Sequence, residues 1–156
     1  MITRDMSILK STSGRLLGVD FGDVRTGLAV SDAARFLASG METIQPGGMR
    51  KTAIAVAEQA RELSVSGVIV GLLINMDGSY GPRAEHAEVF ATLLEEQLPE
   101  VPIVLMDERM TTMAASRFLN ETNTRGRQRK QVIDTLSAQI ILQNALDRLK
   151  NMPPQA

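Results

Sequence analysis

The sequence predicts an α/β fold: a mixed five-stranded sheet, made of an antiparallel meander followed by helix–strand alternation, with helices on both faces. The first observation is a series of short β-rich runs at residues 15–20, 26–31 and 36–43, separated by turn residues, as in a meander. The second is that helical stripes alternate with continuous apolar runs from residue 49 onward, which is typical of parallel strands buried on both faces.

Length and composition indicate one globular domain. The chain has 156 residues, of which 44% are hydrophobic and 22% charged, and it contains no cysteine. A chain of this length can bury a core of its own, and a chain without cysteine has no disulfide framework and no thiolate metal site. We expect a flexible N-terminal tail at residues 1–14, a single domain at residues 15–150 and a C-terminal tail at residues 151–156.

Net charge gives no general attraction to polyanions, since the formal charge is −1. Positive charge is instead local, in a basic segment made of Arg125, Arg127, Arg129 and Lys130. No apolar run approaches the roughly 18 residues of a membrane span, and the first residues lack the apolar region of a secretory signal. We therefore expect a protein without a membrane partner.

The meander begins with two runs that form a hairpin across residues 21–25. Residues 36–43 are predicted as its third strand, and the Pro-Gly-Gly sequence at 46–48 then breaks the chain.

The second half of the chain alternates between helices and strands. Apolar positions recur at three and four over residues 49–63 and 83–97, which predicts two amphipathic helices, and the runs at 67–72 and 102–106 are predicted as buried strands. Thr111 or Thr112 can cap a third helix that reaches about residue 120. Residues 123–130 are predicted as a polar, basic loop, and residues 132–150 as the last helix.

Three carboxylates occupy unusual places relative to these elements. Asp20 ends the first strand, Glu108 follows the last strand, and Asp134 lies four residues before Ala138, at the head of the buried stripe of the final helix. Ligand sites in such sheets form beyond the carboxyl ends of the parallel strands. If the last helix packs across that edge, the three acids converge.

Clustered carboxylates in a chain without cysteine favour Mg²⁺ or Mn²⁺ over zinc. Two such ions are a recurring device for phosphodiester cleavage, because one activates the attacking water and the other stabilises the leaving oxygen. Simpler interpretations stay open for each acid. Asp20 can bond the backbone of its own turn, Asp134 can complement its helix dipole, and Asp107 is as available as Glu108.

Four spaced motifs, in order, the first of them in two parts, resemble the YqgF family of Holliday-junction-resolvase-like nucleases. They are GVDFG at 18–22, RTGLAVSD at 25–32, VGL with NMDG at 70–78, DERMTT at 107–112 and VIDTLSA at 132–138. The resemblance runs from about residue 15 to residue 147. It departs from the family pattern at Leu73, where proline is usual, and at Leu136, where a small residue is usual.

The resemblance implies a ribonuclease-H-like fold, a bacterial cytoplasmic location and a role in trimming the precursor of 16S rRNA, with branched DNA as the other substrate proposed for the family. It also implies that Asp20, Glu108 and Asp134 are the catalytic and metal-binding acids, with two Mg²⁺ or Mn²⁺ ions. Nucleic acid would lie against Arg25 and the basic segment, and ribosomal particles are expected partners.

Two other hypotheses stay open at this stage. One is a non-catalytic nucleic-acid-binding module, whose binding would not respond to a chelator. The other is an actin-like phosphotransferase, which shares the strand–Asp-x-Gly turn but needs a second lobe for which 156 residues leave no room. The sequence does not choose between endonuclease and exonuclease, or between a monomer and a homodimer.

Overall fold

A computed structural model of the chain describes residues 1–75, 77–108 and 126–153, and for residues 126–134 it describes the backbone alone. Within these residues, three α-helices and a short 3-10 helix, Met6–Ser11, accompany one six-stranded sheet with the order β1-β6-β5-β2-β3-β4. The strands are β1 Ile2–Thr3, β2 Leu16–Asp20, β3 Gly27–Ser31, β4 Ala38–Gly40, β5 Gly67–Leu73 and β6 Ile103–Glu108. The helices are α1 Met49–Glu62, α2 Pro82–Gln97 and α3 Gly126–Asn151.

The sheet is mixed, as the sequence predicts. Strands β2, β3 and β4 pair in antiparallel fashion and form the meander, whereas β2, β5, β6 and β1 are parallel. The parallel strands are nearly continuous in apolar residues because both of their faces are covered. Their carboxyl ends lie along one edge of the sheet.

Helices cover both faces, which confirms the predicted layers. On one face α1 and α2 pack against alternate strand residues such as Val19, Val70 and Leu105. On the other face α3 and the 3-10 helix pack against the intervening residues, including Leu16, Ile69 and Met106. Side chains of a strand alternate between the two faces of the sheet. Two residues of one strand that are an even number of positions apart therefore contact the same helix layer.

Helix α3 crosses its face of the sheet obliquely and at close range. Along the helix, Thr135 lies against Gly40 of β4, Leu142 against Gly18 of β2, Ile141 against Gly71 of β5, and Asn144 against Glu108 of β6. A Cβ atom added to Gly18 would lie 2.7 Å from the Cβ atom of Leu142. The glycines of β2 and β5 therefore set how closely α3 approaches the carboxyl edge.

The N-terminal segment differs from the predicted flexible tail. Residues 2–3 form β1, a sixth strand that pairs with β6, and the side chains of Met6 and Leu9 are buried beneath α3. Arg35 holds the segment in place, because its guanidinium donates to the carbonyl oxygens of Leu9 and Gly14 at 2.7 Å each. The local sequence does not indicate this packing, because the residues that bury and bond the segment lie elsewhere in the chain.

The last helix begins earlier than the predicted residue 132. Residues 127, 129 and 130, which the sequence analysis assigned to a loop, belong to the helical backbone of α3. Arg125 and the predicted helix between residues 111 and 120 lie outside the described residues. Among the helices that are described, none is both long enough and apolar enough to cross a membrane.

Candidate active site

Asp20 ends β2 at the carboxyl edge of the sheet, and its side chain is only 2% exposed. Strand alternation places it on the face of Leu16 and Gly18, which α3 covers. The turn that follows depends on Gly22, since a Cβ atom there would overlap the carbonyl oxygen of Arg25. The Asp-x-Gly sequence therefore ends the strand at a buried carboxylate and turns the chain tightly into β3.

Arg83 forms an ion pair with Asp20. Its Nη2 atom donates to Oδ1 of Asp20 at 3.0 Å from the first turn of α2, and the Arg83 side chain is 45% exposed. A buried carboxylate is costly unless charge and hydrogen bonds compensate it. In this structure a half-exposed surface cation contributes to that compensation.

Glu108 ends β6 and is 8% exposed. It falls on the same strand face as Val104 and Met106, beneath α3, and its Oε1 atom accepts a hydrogen bond of 3.2 Å from Nδ2 of Asn144. Strand β5 separates β2 from β6, so their backbones lie about 10 Å apart. Asp20 and Glu108 thus share one face and one edge of the sheet.

Asp107 differs from its neighbour Glu108 in every respect that bears on a buried site. Its side chain is 52% exposed and lies on the opposite strand face. Its Oδ1 atom accepts a hydrogen bond of 3.1 Å from Arg4, which also pairs with Glu88 at 2.9 Å and with the Tyr80 hydroxyl. The hydrogen bond with Tyr80 raises the pKa of Arg4. Asp107 therefore belongs to a surface cluster that ties the N-terminal segment to α2.

The remaining predicted site residues are described to different degrees. The backbone of Asp134 lies in α3, one turn before the buried Ala138, but its side chain lies outside the described residues. The same holds for the side chains of Arg127, Arg129 and Lys130. Convergence of Asp134 with Asp20 and Glu108 stays a prediction.

A cleft of about 510 Å³ opens between the β2–β3 turn and the first turns of α2. Its walls include Arg25 and Arg83 and a pair formed by His86 and Asp23, in which Nδ1 of His86 lies 3.0 Å from Oδ1 of Asp23. Asp20 adjoins this cleft through its ion-pair partner Arg83 and its chain neighbour Phe21, both of which line it. Arg25, a predicted nucleic-acid contact, lines this cleft.

Comparison with protein families shows to which family the chain belongs. Residues 14–148 match the family described as "RuvX: Holliday junction resolvase", which is most of the chain. The chain belongs to the RuvX family. This finding confirms the resemblance to the YqgF family, the other name of the same group.

Relatives of this RuvX chain are similar along nearly their whole length. A protein of Ruminiclostridium cellulolyticum is 39% identical over 136 residues, which cover 86% of the chain and 95% of that protein. A protein of Caldanaerobacter subterraneus subsp. tengcongensis is 45% identical over 139 residues, which cover 88% and 99%. Both carry the name "Putative pre-16S rRNA nuclease".

Solved structures confirm the ribonuclease-H-like fold class of the RuvX chain. Thermus thermophilus RuvC, solved with a Holliday junction substrate, superposes with a TM-score of 0.53 at 16% identity and covers 88% of this chain and 96% of its own. Fowlpox virus resolvase, also solved with Holliday junction DNA, gives 0.53 at 9% identity and covers 86% and 98%. At these identities the likeness concerns the fold.

The side chains at the carboxyl edge of the RuvX chain fit a hard divalent cation in type. Asp20 and Glu108 supply buried carboxylate oxygens without any sulfur ligand, which is the donor chemistry that Mg²⁺ and Mn²⁺ prefer. Asp20 already has a cation beside it. Within the described part of the chain, no group of three or more potential ligands lies close enough to hold a metal ion. A complete site would need Asp134 as well.

Sequence reasoning missed Arg83, Asn144 and the pair of His86 with Asp23. For Arg83 a local signal exists, because a cation in the first turn of a helix opposes the helix dipole. A cation at a position that the helix dipole disfavours suggests an acidic partner elsewhere in the chain. For Arg83 that partner is Asp20. For Asn144 no local signal exists, since an amide on a helix is ordinary.

Proposed function

We propose that this chain is a metal-dependent endonuclease that hydrolyses phosphodiester bonds at the 5′ end of pre-16S rRNA during ribosome biogenesis in the cytoplasm. One observation carries the proposal: two buried carboxylates, Asp20 and Glu108, share one face and one edge of the sheet in a member of the RuvX family. The names of its relatives support the rRNA substrate.

Asp20, Glu108 and Asp134 would hold Mg²⁺ or Mn²⁺, with two ions expected. Such ions lower the pKa of water and stabilise a leaving oxygen. Within the chain, Asn144 fixes the Glu108 carboxylate by its hydrogen bond to Oε1, and groups of this kind orient ligands.

Contacts to the substrate would come from the basic side chains. Arg25 and Arg83 line the cleft beside Asp20 and can contact a phosphate. Arg127, Arg129 and Lys130 lie on the first two turns of α3, and Arg125 lies just before it. These four cations would hold the flanking backbone of the nucleic acid, whether the RNA is free or part of a pre-ribosomal particle.

The test is cleavage of a pre-16S rRNA fragment with Mg²⁺ or Mn²⁺. Asp20→Asn is expected to lower the rate at least about 100-fold, because an amide cannot replace a charged ligand. Glu108→Gln should behave likewise. Asp107→Asn is the matched control, since it makes the same kind of change one residue away on an exposed side chain, and it should retain activity.

Equal activity of Asp20→Asn and the unaltered chain would refute the mechanism. Binding of RNA that a chelator does not affect, with no cleavage under either metal, would instead indicate a non-catalytic binding module.

A second candidate, cleavage of branched DNA, is favoured by the description of the family and by the fold shared with junction resolvases. A four-way DNA junction assayed beside the rRNA fragment separates the two. The solution mass of the chain adds to this test, because symmetric cutting of a junction requires a two-fold dimer, whereas an RNA-trimming enzyme can act as a monomer.

A further inference from the structure

We propose that Arg83 is an internal counter-cation of Asp20 that competes with a divalent metal ion for this carboxylate. The inference rests on the proposed metal-dependent function and assigns a role to a residue that touches the metal ligand. Arg83 would stabilise the metal-free chain and would weaken metal binding through its positive charge.

The first observation is the mismatch in exposure between the two partners. Asp20 is 2% exposed, whereas Arg83 is 45% exposed and bonds Oδ1 of Asp20 at 3.0 Å. A buried anion needs a compensating cation. Arg83 contributes to this compensation, and because it is a half-exposed side chain on a helix surface it can leave without any change in the sheet.

The second observation is the position of Arg83 in α2. It lies in the first turn, where the dipole of the helix disfavours a cation, while the last turn carries Glu95 and Glu96 and no basic residue. Glu85 in the first turn agrees with the dipole, so Arg83 is the charge in this turn that opposes it. The ion pair with Asp20 gives a physical reason for a cation at residue 83.

The cleft beside Asp20 provides space for the displaced side chain. The β2–β3 turn and the first turns of α2 enclose about 510 Å³, and Arg83 lines this volume together with His86. The guanidinium can move there by rotation of its own side chain. Exchange of Arg83 for a metal ion is thus a local event.

The size of the competition follows from Coulomb's law. A divalent ion about 5 Å from a guanidinium loses about tenfold in affinity even when the repulsion is fully screened by water. Partial burial of the site increases this loss. Removing the charge at residue 83 is therefore expected to tighten metal binding by about tenfold or more.

The experiment measures Mn²⁺ affinity by titration calorimetry or by the electron paramagnetic resonance signal of free Mn²⁺, without nucleic acid. Arg83→Gln should bind Mn²⁺ about tenfold more tightly than the unaltered chain and should melt at a lower temperature in the presence of a chelator. Arg83→Lys keeps the charge and should retain nearly the original affinity. Arg50→Gln is the matched control, because Arg50 pairs with Glu96 on the exposed surface of α1 and α2, at 3.7 Å, and should leave the affinity unchanged.

Equal or weaker binding by Arg83→Gln would overturn this inference and leave the proposed function intact. The same conclusion follows if Arg50→Gln tightens binding as much, since the effect would then be one of net charge. Absence of Mn²⁺ binding in both the unaltered chain and Arg83→Gln would overturn the proposed metal-dependent function together with the inference.

Discussion

The close approach of α3 to the sheet predicts that Gly18→Ala destabilises the protein. An alanine in a strand ordinarily gains about 0.4–1 kcal/mol over glycine, because the unfolded chain becomes less flexible. Here the new Cβ atom would lie 2.7 Å from the Cβ atom of Leu142 and 3.2 Å from the carbonyl oxygen of Ala138. Normal carbon–carbon contacts lie at about 3.5–4.0 Å, so α3 would have to retreat by about 1 Å.

Such a displacement in a packed core costs about 1–3 kcal/mol. For a chain of this size the melting temperature should fall by about 2–12 °C, measured by calorimetry or circular dichroism. Neither atom that Gly18→Ala meets is at the flexible end of a side chain. Leu142→Ala retains the Cβ atom that Gly18→Ala would contact. The double variant should therefore lose at least as much free energy of unfolding as the two single variants lose together.

Gly71→Ala provides the contrasting case. Its Cβ atom would meet Cδ1 of Ile141 at 2.5 Å and Cγ1 at 3.1 Å, which are side-chain atoms. Ile141→Val deletes Cδ1 and alone costs about 0.5–1.5 kcal/mol. The loss in the free energy of unfolding of the double variant should be smaller than the summed losses of the two single variants, by about 0.5 kcal/mol or more. A neutral Gly18→Ala variant, or its rescue by Leu142→Ala, would refute the argument that α3 is held by backbone-level contacts.

Two further predictions concern the segments that flank the sheet. Arg35→Ala should lower the free energy of unfolding by about 2–4 kcal/mol in denaturant titrations. The reason is that the guanidinium donates four hydrogen bonds that no shorter side chain replaces. Arg15→Ala, on the exposed surface, is the control and should leave the free energy of unfolding unchanged. Hydrogen bonds from the backbone N–H groups of Leu37 and Phe36 hold the pKa of Asp32 below its ordinary value. Its contribution to stability is therefore complete above the ordinary pKa of an aspartate and is lost as pH falls through the lower, folded-state pKa. The difference in melting temperature between Asp32→Ala and the unaltered chain should be constant near neutral pH and disappear in acid, and a difference that grew in acid would contradict this assignment.

Particular residues show how far sequence reasoning reaches at the candidate site. Asp20 and Glu108 could be selected from the sequence because each ends an apolar strand, and strand ends are visible in local composition. The orientation of Glu108 relative to Asp107 was also within reach, since alternation along β6 places residues 104, 106 and 108 on one face. Asp134 was selected by helical periodicity, and its part in the site stays a prediction.

The sequence by itself determined five of the six strands, the three α-helices of the described residues, the two helix layers and the family of this chain, because burial imposes a period of two or of 3.6 on neighbouring residues. Only the tertiary structure decided which distant side chains meet. Arg83 reaches Asp20 from 63 residues away, and Asn144 reaches Glu108 from 36 residues away. Arg35 bonds an N-terminal segment whose partners are 21 and 26 residues away in the chain. Such contacts depend on strand register and on the oblique crossing of α3, and neither leaves a periodic pattern in the residues that take part.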